Sequence, residues 1–142
     1  MSVFKTVFRP VLTFGSESWV LSDRLKSKIQ AMEMKYLRKV KEVTRKDRIR
    51  NVVIREELKV NSVLDVIEQR ELAWFGHLIK MKNDRPVKVV WEARTSTKRG
   101  RGRPRETWDK TIEKILGKRG KTMMEARELA RNKREWRKFV YS

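Results

Sequence analysis

The sequence contains no cysteine and a single histidine, His77. Without cysteine, the chain cannot form disulfides, thiolate metal sites or a cysteine nucleophile. A lone histidine cannot build a zinc site either, because zinc is held by several cysteine or histidine ligands. We therefore expect no bound metal and no other cofactor, and we expect His77 to be a packed or hydrogen-bonded imidazole.

The sequence also lacks a hydrophobic run long enough to cross a membrane. The apolar stretch at its N-terminus is interrupted by Lys5, Arg9 and Glu17, so it is too short and too charged to span a bilayer. We expect no membrane partner. The sequence leaves the compartment open, with the nucleus or the cytoplasm favoured.

Acidic residues are few and scattered. Glu56 and Glu57 are adjacent, whereas Asp23 and Asp84 stand alone among basic residues. Metal-assisted phosphoryl transfer needs a paired acidic constellation, and neither a Walker loop nor a nucleophile elbow is present. The chain alone is therefore predicted to have no catalytic residues and no small-molecule substrate.

Positive charge dominates what is present. The 142 residues include 37 Lys and Arg against 18 Asp and Glu, a formal net charge of +19. Such an excess indicates a polyanionic partner, for which nucleic acid is the natural candidate. High net charge is also typical of disordered chains, but hydrophobic residues make up 39% of this one and include five Trp and five Phe. We therefore expect it to fold.

Apolar residues recur at helical spacing and strand signals are scarce, which predicts an all-α fold. The clearest helix begins at Ser22 and turns one face inward, formed by Leu25, Ile29, Met32, Tyr36, Val40 and Val43. Further helices are predicted over 46–58, with Val52 and Val53 inward, over 62–81, and from Pro104 to Leu116. One last helix is predicted from the capping box of Thr122 and Glu125 to Val140.

Two stretches are left open by the pattern. Residues 4–14 are ambiguous because Pro10 would kink a continuous helix, and residues 87–91 fit either a helix or a strand. Asn83, Asp84 and Pro86 break the third helix, which predicts a helical unit over 1–83 and a basic region over 84–142. The basic region is expected to consist of an exposed loop followed by a two-helix tail.

The most informative motif lies in that loop. Residues 98–105 alternate arginine with glycine, which gives a thin, extended strand whose guanidinium groups can reach phosphates or a narrow minor groove. The predicted nucleic-acid-binding residues here are Lys98, Arg99, Arg101, Gly102, Arg103, Pro104 and Arg105. The core Arg-Gly-Arg-Pro resembles the AT-hook, a motif that docks in A·T-rich DNA. The alternative is a solvated linker without a partner.

Two helical runs of basic residues flank the loop. From the first run we predict contacts to phosphate by Arg38, Lys39, Arg45 and Arg48, and from the last helix by Arg134 and Arg137. A charged run is often only a solvated helix face, but several runs in one chain repel each other unless a polyanion is bound. For the five tryptophans, core packing is favoured over base stacking.

Six ordered blocks covering nearly the whole chain resemble the segment that follows the polymerase palm in non-LTR retrotransposon endonuclease-reverse transcriptases, the LINE-type (jockey-like or RTE-like) elements. They are RPVLTFGSESWVL from Arg9, MEMKYLRKV from Met32, DRIRNVVIREEL from Asp47, RELAWFGHLIKM from Arg70, KRGRGRPRETWDKTI from Lys98 and ARNKREWRKFV from Ala130.

The resemblance implies a helical thumb that grips the template-primer duplex, followed by a basic region for RNA or target DNA. Its motif residues would be Gly15, Glu17 and Trp19 at the thumb entry, Trp74, Gly76 and His77 in Trp-x-Gly-His, and Gly102, Arg103, Pro104 and Trp108 near the loop. The implied partners are RNA, DNA or a hybrid duplex, and a reverse transcriptase palm whose metal ligands would lie upstream of Met1.

The chain departs from the family pattern in three places. Phe14 stands for the usual Tyr, Asn132 and Lys133 stand for Asp and Arg, and Lys41 with Glu42 replaces an apolar-glycine helix ending. Three hypotheses remain. The chain is a nucleic-acid-binding transposon fragment, a host-retained DNA-binding module using the Arg-Gly-Arg-Pro strand, or an inert helical remnant.

Overall fold

The computed structural model describes residues 1–93, 102 and 106–142, and within these the chain forms helices and turns but no strand. The predicted all-α fold is confirmed. A π-helical turn, Phe4–Phe8, leads into α1 (Arg9–Leu12), which has Pro10 in its first turn. The other helices are α2 (Asp23–Val40), α3 (Asn51–Leu58), α4 (Val63–Lys80), α5 (Pro86–Glu92), α6 (Trp108–Lys118), α7 (Met123–Arg131) and α8 (Lys133–Tyr141). The open segment 87–91 is therefore helical.

The chain forms two compact units, Met1–Arg70 (unit 1) and Glu71–Ser142 (unit 2). The division lies inside α4, whereas the sequence pattern placed it at residues 83–84. The reason is that Leu72 and Phe75, in the second half of α4, belong to the same core as α6, α7 and α8. The C-terminal region is thus a packed unit with its own core, and its assignment to a basic tail stays a prediction.

Unit 1 is built around aromatic and aliphatic contacts of α2. Phe4, Leu37 and Ile54 are almost fully buried, and the ring of Phe8 stacks on that of Tyr36 with centroids 4.5 Å apart. Ser22 caps α2 as predicted, since its hydroxyl accepts a hydrogen bond from the Leu25 N–H at 3.4 Å. These contacts fix the orientation of the basic face of α2.

The predicted inward face of α2 is wrong in part. Leu25, Met32 and Val40 are 45%, 54% and 43% exposed, and the buried residues are Glu33, Met34 and Leu37. The buried face of α2 is rotated relative to the predicted face, and it includes a charged residue, Glu33. In α3, Val52 and Val53 are likewise exposed rather than inward, and Ile54 is buried instead.

Glu33 joins three elements of unit 1. Arg55 Nη2 donates to Glu33 Oε2 at 2.6 Å, and the backbone N–H of Val63, the first residue of α4, donates to Glu33 Oε1 at 2.8 Å. The carboxylate therefore pairs with a cation on α3 and satisfies a free N–H at the start of α4. A buried charge is stable only when it is paired and hydrogen-bonded in this way.

The end of α2 lies at one of the places where the chain departs from the sequences it resembles, Lys41 with Glu42. The N–H of Val43 donates to the carbonyl of Arg38 at 3.0 Å and that of Glu42 donates to Lys39 at 3.3 Å, a Schellman motif with Glu42 at φ 58°. This left-handed position favours glycine. A similar ending follows α6, where the residue at φ 68° is Gly120.

Unit 2 is organised by Trp136 on α8, which is 3% exposed. Its indole Nε1 donates to the carbonyl of Leu72 at 3.1 Å. A Cβ on Gly76 would lie 2.9 Å from Cε2 of Trp136 and closer still to Nε1 and Cδ1. Only a residue without a side chain lets the indole approach α4 so closely, which gives the glycine of Trp-x-Gly-His a packing role.

The capping box of Thr122 and Glu125 is confirmed, but the single last helix is not. The chain leaves helical geometry at Asn132 (ψ 105°), whose Oδ1 accepts the N–H groups of Arg134 and Glu135 and starts α8. Asparagine is a preferred cap because its short side chain can bond to the following N–H groups. The break directs Trp136 into the core.

Two cations of unit 2 donate hydrogen bonds to backbone carbonyls at the C-terminal ends of helices. Lys88, which is 8% exposed, donates from Nζ to the carbonyls of Ile79 (3.3 Å) and Met81 (2.8 Å). Arg119 Nη1 donates to the carbonyls of Phe139 (2.8 Å) and Val140 (3.0 Å). Positive side chains at these positions donate to the carbonyl groups that have no partner at the end of a helix. Their charge also interacts favourably with the negative end of the helix dipole.

Candidate nucleic-acid interface

A groove of about 820 Å³ runs along α2 in unit 1. We call it the α2 groove, and it lies between one face of α2 and the segment that leads into α3. The lining residues are Ser27, Gln30, Ala31, Met34, Lys35, Arg38, Lys39, Val43, Arg45 and Asn51. They include four cations and no acidic residue, so the groove is suited to an anionic ligand.

Three of the four cations are free to meet a ligand. Lys35, Lys39 and Arg45 are exposed, and none of them forms an ion pair in the part of the chain that the structure describes. Lys35 and Lys39 are four residues apart on α2 and therefore lie on the same face. Their separation along the axis, about 6 Å, is close to the phosphate spacing of an extended strand.

Arg38 plays a structural part in the same groove. Its Nη1 donates to Asn51 Oδ1 at 3.1 Å and its Nη2 donates to the carbonyl of Ile49 at 2.9 Å. The guanidinium thus joins α2 to the start of α3 and holds the loop that carries Arg45. This predicted binding residue shapes the groove, and contact between Arg38 and nucleic acid stays a prediction.

The second basic surface is the α8 face in unit 2, formed by Lys133, Arg134, Arg137, Lys138 and Tyr141. These residues line a shallow groove of about 660 Å³, and Tyr141 is 60% exposed. On the other side of the same helix Trp136 and Val140 are buried. The inward packing of two residues therefore determines which way the basic residues point.

Positive charges lie close together beside this face. Burial lowers the pKa of the Lys80 ammonium, and the nearby positive charge of Lys133 lowers it further. Only Lys138 of the α8 face forms an ion pair among the described residues, with Glu135 at 3.5 Å. An anionic ligand would relieve the repulsion that this arrangement leaves.

The remaining predicted binding residues are distributed as follows. Arg48 is exposed at φ 52° in the loop between α2 and α3, outside the residues that line the α2 groove. Gly102 is exposed at φ 144°. The other predicted loop residues, Lys98, Arg99, Arg101, Arg103, Pro104 and Arg105, lie outside the described residues.

Sequence reasoning missed the uncharged part of both surfaces. Gln30, Ala31 and Asn51 line the α2 groove, and Tyr141 completes the α8 face. Their only sequence signal is spacing: Tyr141 follows Arg137 by four residues, and Ala31 precedes Lys35 by four. Without knowledge of which face is buried, that spacing does not single them out.

The structure also places the motif residues of the resemblance, two of which, Trp19 and His77, are exposed. Trp19 lies 3.7 Å from the position that a Cβ on Gly15 would take, and it is 50% exposed. His77 is exposed rather than packed inside, with its ring against that of Trp74 at 5.3 Å between centroids.

Among the described residues, no group of three or more His, Cys, Asp or Glu side chains could hold a metal ion, and no helix there could span a membrane.

Along 96% of its length the chain is 25% identical to a Caenorhabditis elegans protein described as an uncharacterized transposon-derived protein. The chain spans about half of that relative, 52% of its length. No family model matches the sequence, and no solved structure matches it significantly.

Proposed function

We propose that the chain is the nucleic-acid-binding C-terminal part of a non-LTR retrotransposon reverse transcriptase, and that it holds nucleic acid without catalysing a reaction alone. Similarity over nearly the whole chain to a protein described as transposon-derived supports the transposon origin. The six ordered blocks support the more specific assignment to the segment after the palm.

The observation that carries the binding function is the pair of unneutralised basic surfaces. The α2 groove offers Lys35, Lys39 and Arg45, and the α8 face offers Arg134 and Arg137; all five are exposed, and all but Arg45 lie within helices. Cations held at fixed positions bind phosphates by releasing condensed counterions from the nucleic acid. The binding is therefore expected to depend little on sequence.

A salt titration tests the proposal. Five phosphate contacts predict a slope of about −4 to −5 when the logarithm of the association constant is plotted against that of the salt concentration. The ligands are an RNA-DNA hybrid, RNA, mixed-sequence DNA duplex and A·T-rich duplex. Weak binding to all four at physiological salt would overturn the proposal and leave the chain an inert remnant.

A double variant locates the contact. Arg134→Ala with Arg137→Ala should reduce the slope by about 2, because each arginine accounts for roughly one phosphate. Arg24→Ala with Lys28→Ala removes the same charge from exposed positions of α2 that line neither surface, so it serves as the matched control. Equal losses in both variants would mean that net charge alone drives binding.

The second candidate is a host-retained DNA-binding module, favoured by the sequence Arg101-Gly102-Arg103-Pro104. It predicts a preference for A·T-rich duplex that Arg101→Ala with Arg103→Ala abolishes, because such a strand binds the narrow minor groove. The reverse-transcriptase proposal instead predicts a preference for RNA or the hybrid. Unchanged affinity of that variant for every ligand would assign binding to the helical surfaces.

A further inference from the structure

The α2 groove differs in chemistry from the α8 face. The α8 face is a stripe of cations along one helix, whereas the α2 groove is concave, and its most buried lining residue, Met34, is apolar and 5% exposed. Ala31 and Val43 add further apolar surface. Met34 also belongs to the core of unit 1, but Ala31 and Val43 do not need to be apolar for binding phosphates, which meet cations at the surface.

We propose that the α2 groove takes an unpaired base of single-stranded nucleic acid, with the phosphates on either side bound by the cations at its edge. This inference rests on the proposed nucleic-acid binding and names the class of ligand for one of the two surfaces. The bases of a duplex are stacked and paired, so only its backbone and groove edges could reach a concave site.

The dimensions and polar groups of the groove fit such a ligand. Its volume of about 820 Å³ lies within the range of roughly 300 to 1,000 Å³ that is typical of small-ligand sites. Gln30 makes no side-chain hydrogen bond to any other residue that the structure describes, so its amide has both donor and acceptor available for a base edge. Asn51 has its oxygen bonded to Arg38.

The edge of the groove supplies the charge. Lys35 and Lys39 lie on α2, and Arg45 lies on the loop across from them. A strand whose base enters between these two elements would have its flanking phosphates beside cations on either side. Proteins that bind single-stranded nucleic acid commonly use a positively charged groove to follow the backbone and aromatic side chains to stack the bases. In the α2 groove the apolar side chains of Ala31, Met34 and Val43 would take the place of those aromatic rings.

The test fills the groove without changing its charge. Ala31→Leu should weaken binding of an unstructured 12-nucleotide single strand several-fold, because its larger side chain occupies the space of the base without offering an aromatic ring for stacking. Binding of a duplex of the same sequence should change by less than about twofold, since phosphate contacts at the surface are retained. Met32→Leu is the control with the same new residue, because Met32 is the next residue of α2, is exposed and does not line the groove.

A second measurement uses the unaltered protein. A single strand with one central 2-aminopurine should become more fluorescent on binding, because the groove separates that base from its stacked neighbours and presents no aromatic residue of its own. If an excess of duplex is then added, it should reverse the fluorescence increase less than its own affinity for the protein would predict, because a duplex cannot place a base in the groove. No increase in fluorescence would overturn the inference even if Ala31→Leu fails to fold.

The outcomes separate the two proposals. If duplex binds with a steep salt dependence but Ala31→Leu weakens single-strand binding no more than duplex binding, the inference about the groove is wrong and the proposed function stands. If neither ligand binds the unaltered protein, the proposed function is wrong and the inference is overturned with it.

Discussion

Replacing Gly76 by alanine should strongly destabilise unit 2. The new methyl group would occupy space held by the five-membered ring of Trp136, so either α8 moves away from α4 or the indole rotates. Either response opposes the hydrogen bond from Trp136 Nε1 to the carbonyl of Leu72. The substitution therefore combines overpacking with the loss of a buried hydrogen bond.

The change in the free energy of unfolding combines two destabilising effects and one stabilising effect. Overpacking costs about 1 to 3 kcal/mol, and a buried carbonyl left without its donor costs about the same. Alanine is better than glycine in a helix interior by roughly 1 kcal/mol, which offsets part of the loss. We expect the free energy of unfolding to fall by about 1 to 5 kcal/mol, the lower figure applying if the indole finds another rotamer.

The assay is urea unfolding followed by tryptophan fluorescence and near-ultraviolet circular dichroism, which report the environment of the buried indole. The control is Gly117→Ala on α6, where a methyl group meets nothing within 4 Å. The same chemical change should there raise the free energy of unfolding by roughly 0.5 to 1 kcal/mol. Equal effects at the two positions would refute the close approach of α8 to α4.

Three further predictions concern single contacts. Glu33→Ala should lower the stability of unit 1 by about 3 to 5 kcal/mol in chemical unfolding, because it leaves Arg55 charged, largely buried and unpaired; a loss below 1 kcal/mol would contradict the buried pair. Glu42→Gly should raise stability by about 1 kcal/mol, since glycine adopts φ 58° without strain, and a decrease would argue against the left-handed helix end. The hydrogen bonds from Thr122 lower the pKa of Glu125 below its usual 4.5, so its stabilising contribution is present above pH 4.5 and is lost as the pH falls through the lowered value. The difference in melting temperature between the natural chain and Glu125→Ala should therefore shrink in acid, and a constant difference from pH 7 to pH 3 would disprove the ionic capping box.

Local signals in the sequence predicted the helices well. Ser22 and the pair Thr122 and Glu125 mark helix starts through hydrogen bonds to their own following residues, so they depend little on the rest of the fold. The break at Asn132 has the same local chemistry and could have been predicted. It was missed because the apolar spacing continues across it to Trp136.

Faces and units were harder to predict because they depend on tertiary partners. Glu33 occupies a buried position only because Arg55 and the N–H of Val63 are there to meet it, and a charged residue shifts any pattern read from hydrophobicity alone. The core that links Leu72 and Phe75 to α8 likewise brings together residues distant in the chain.

The candidate site shows the same limit. The cations of the α2 run and of α8 were predicted from composition and spacing, and the structure places Arg38, Lys39 and Arg45 at one groove and Arg134 and Arg137 at one face. The concavity beside Met34 could not be predicted, because it exists only where the loop after α2 returns along the helix.

The capping role of Lys88 makes this residue a natural reporter of motion. Most lysines of the chain are open to amine-reactive reagents, but the Lys88 ammonium is enclosed between the carbonyls of Ile79 and Met81. A reagent can reach it only when α5 separates from the end of α4. The rate at which Lys88 is labelled, relative to an exposed lysine such as Lys82, therefore measures how often this corner of unit 2 opens, without any unfolding agent.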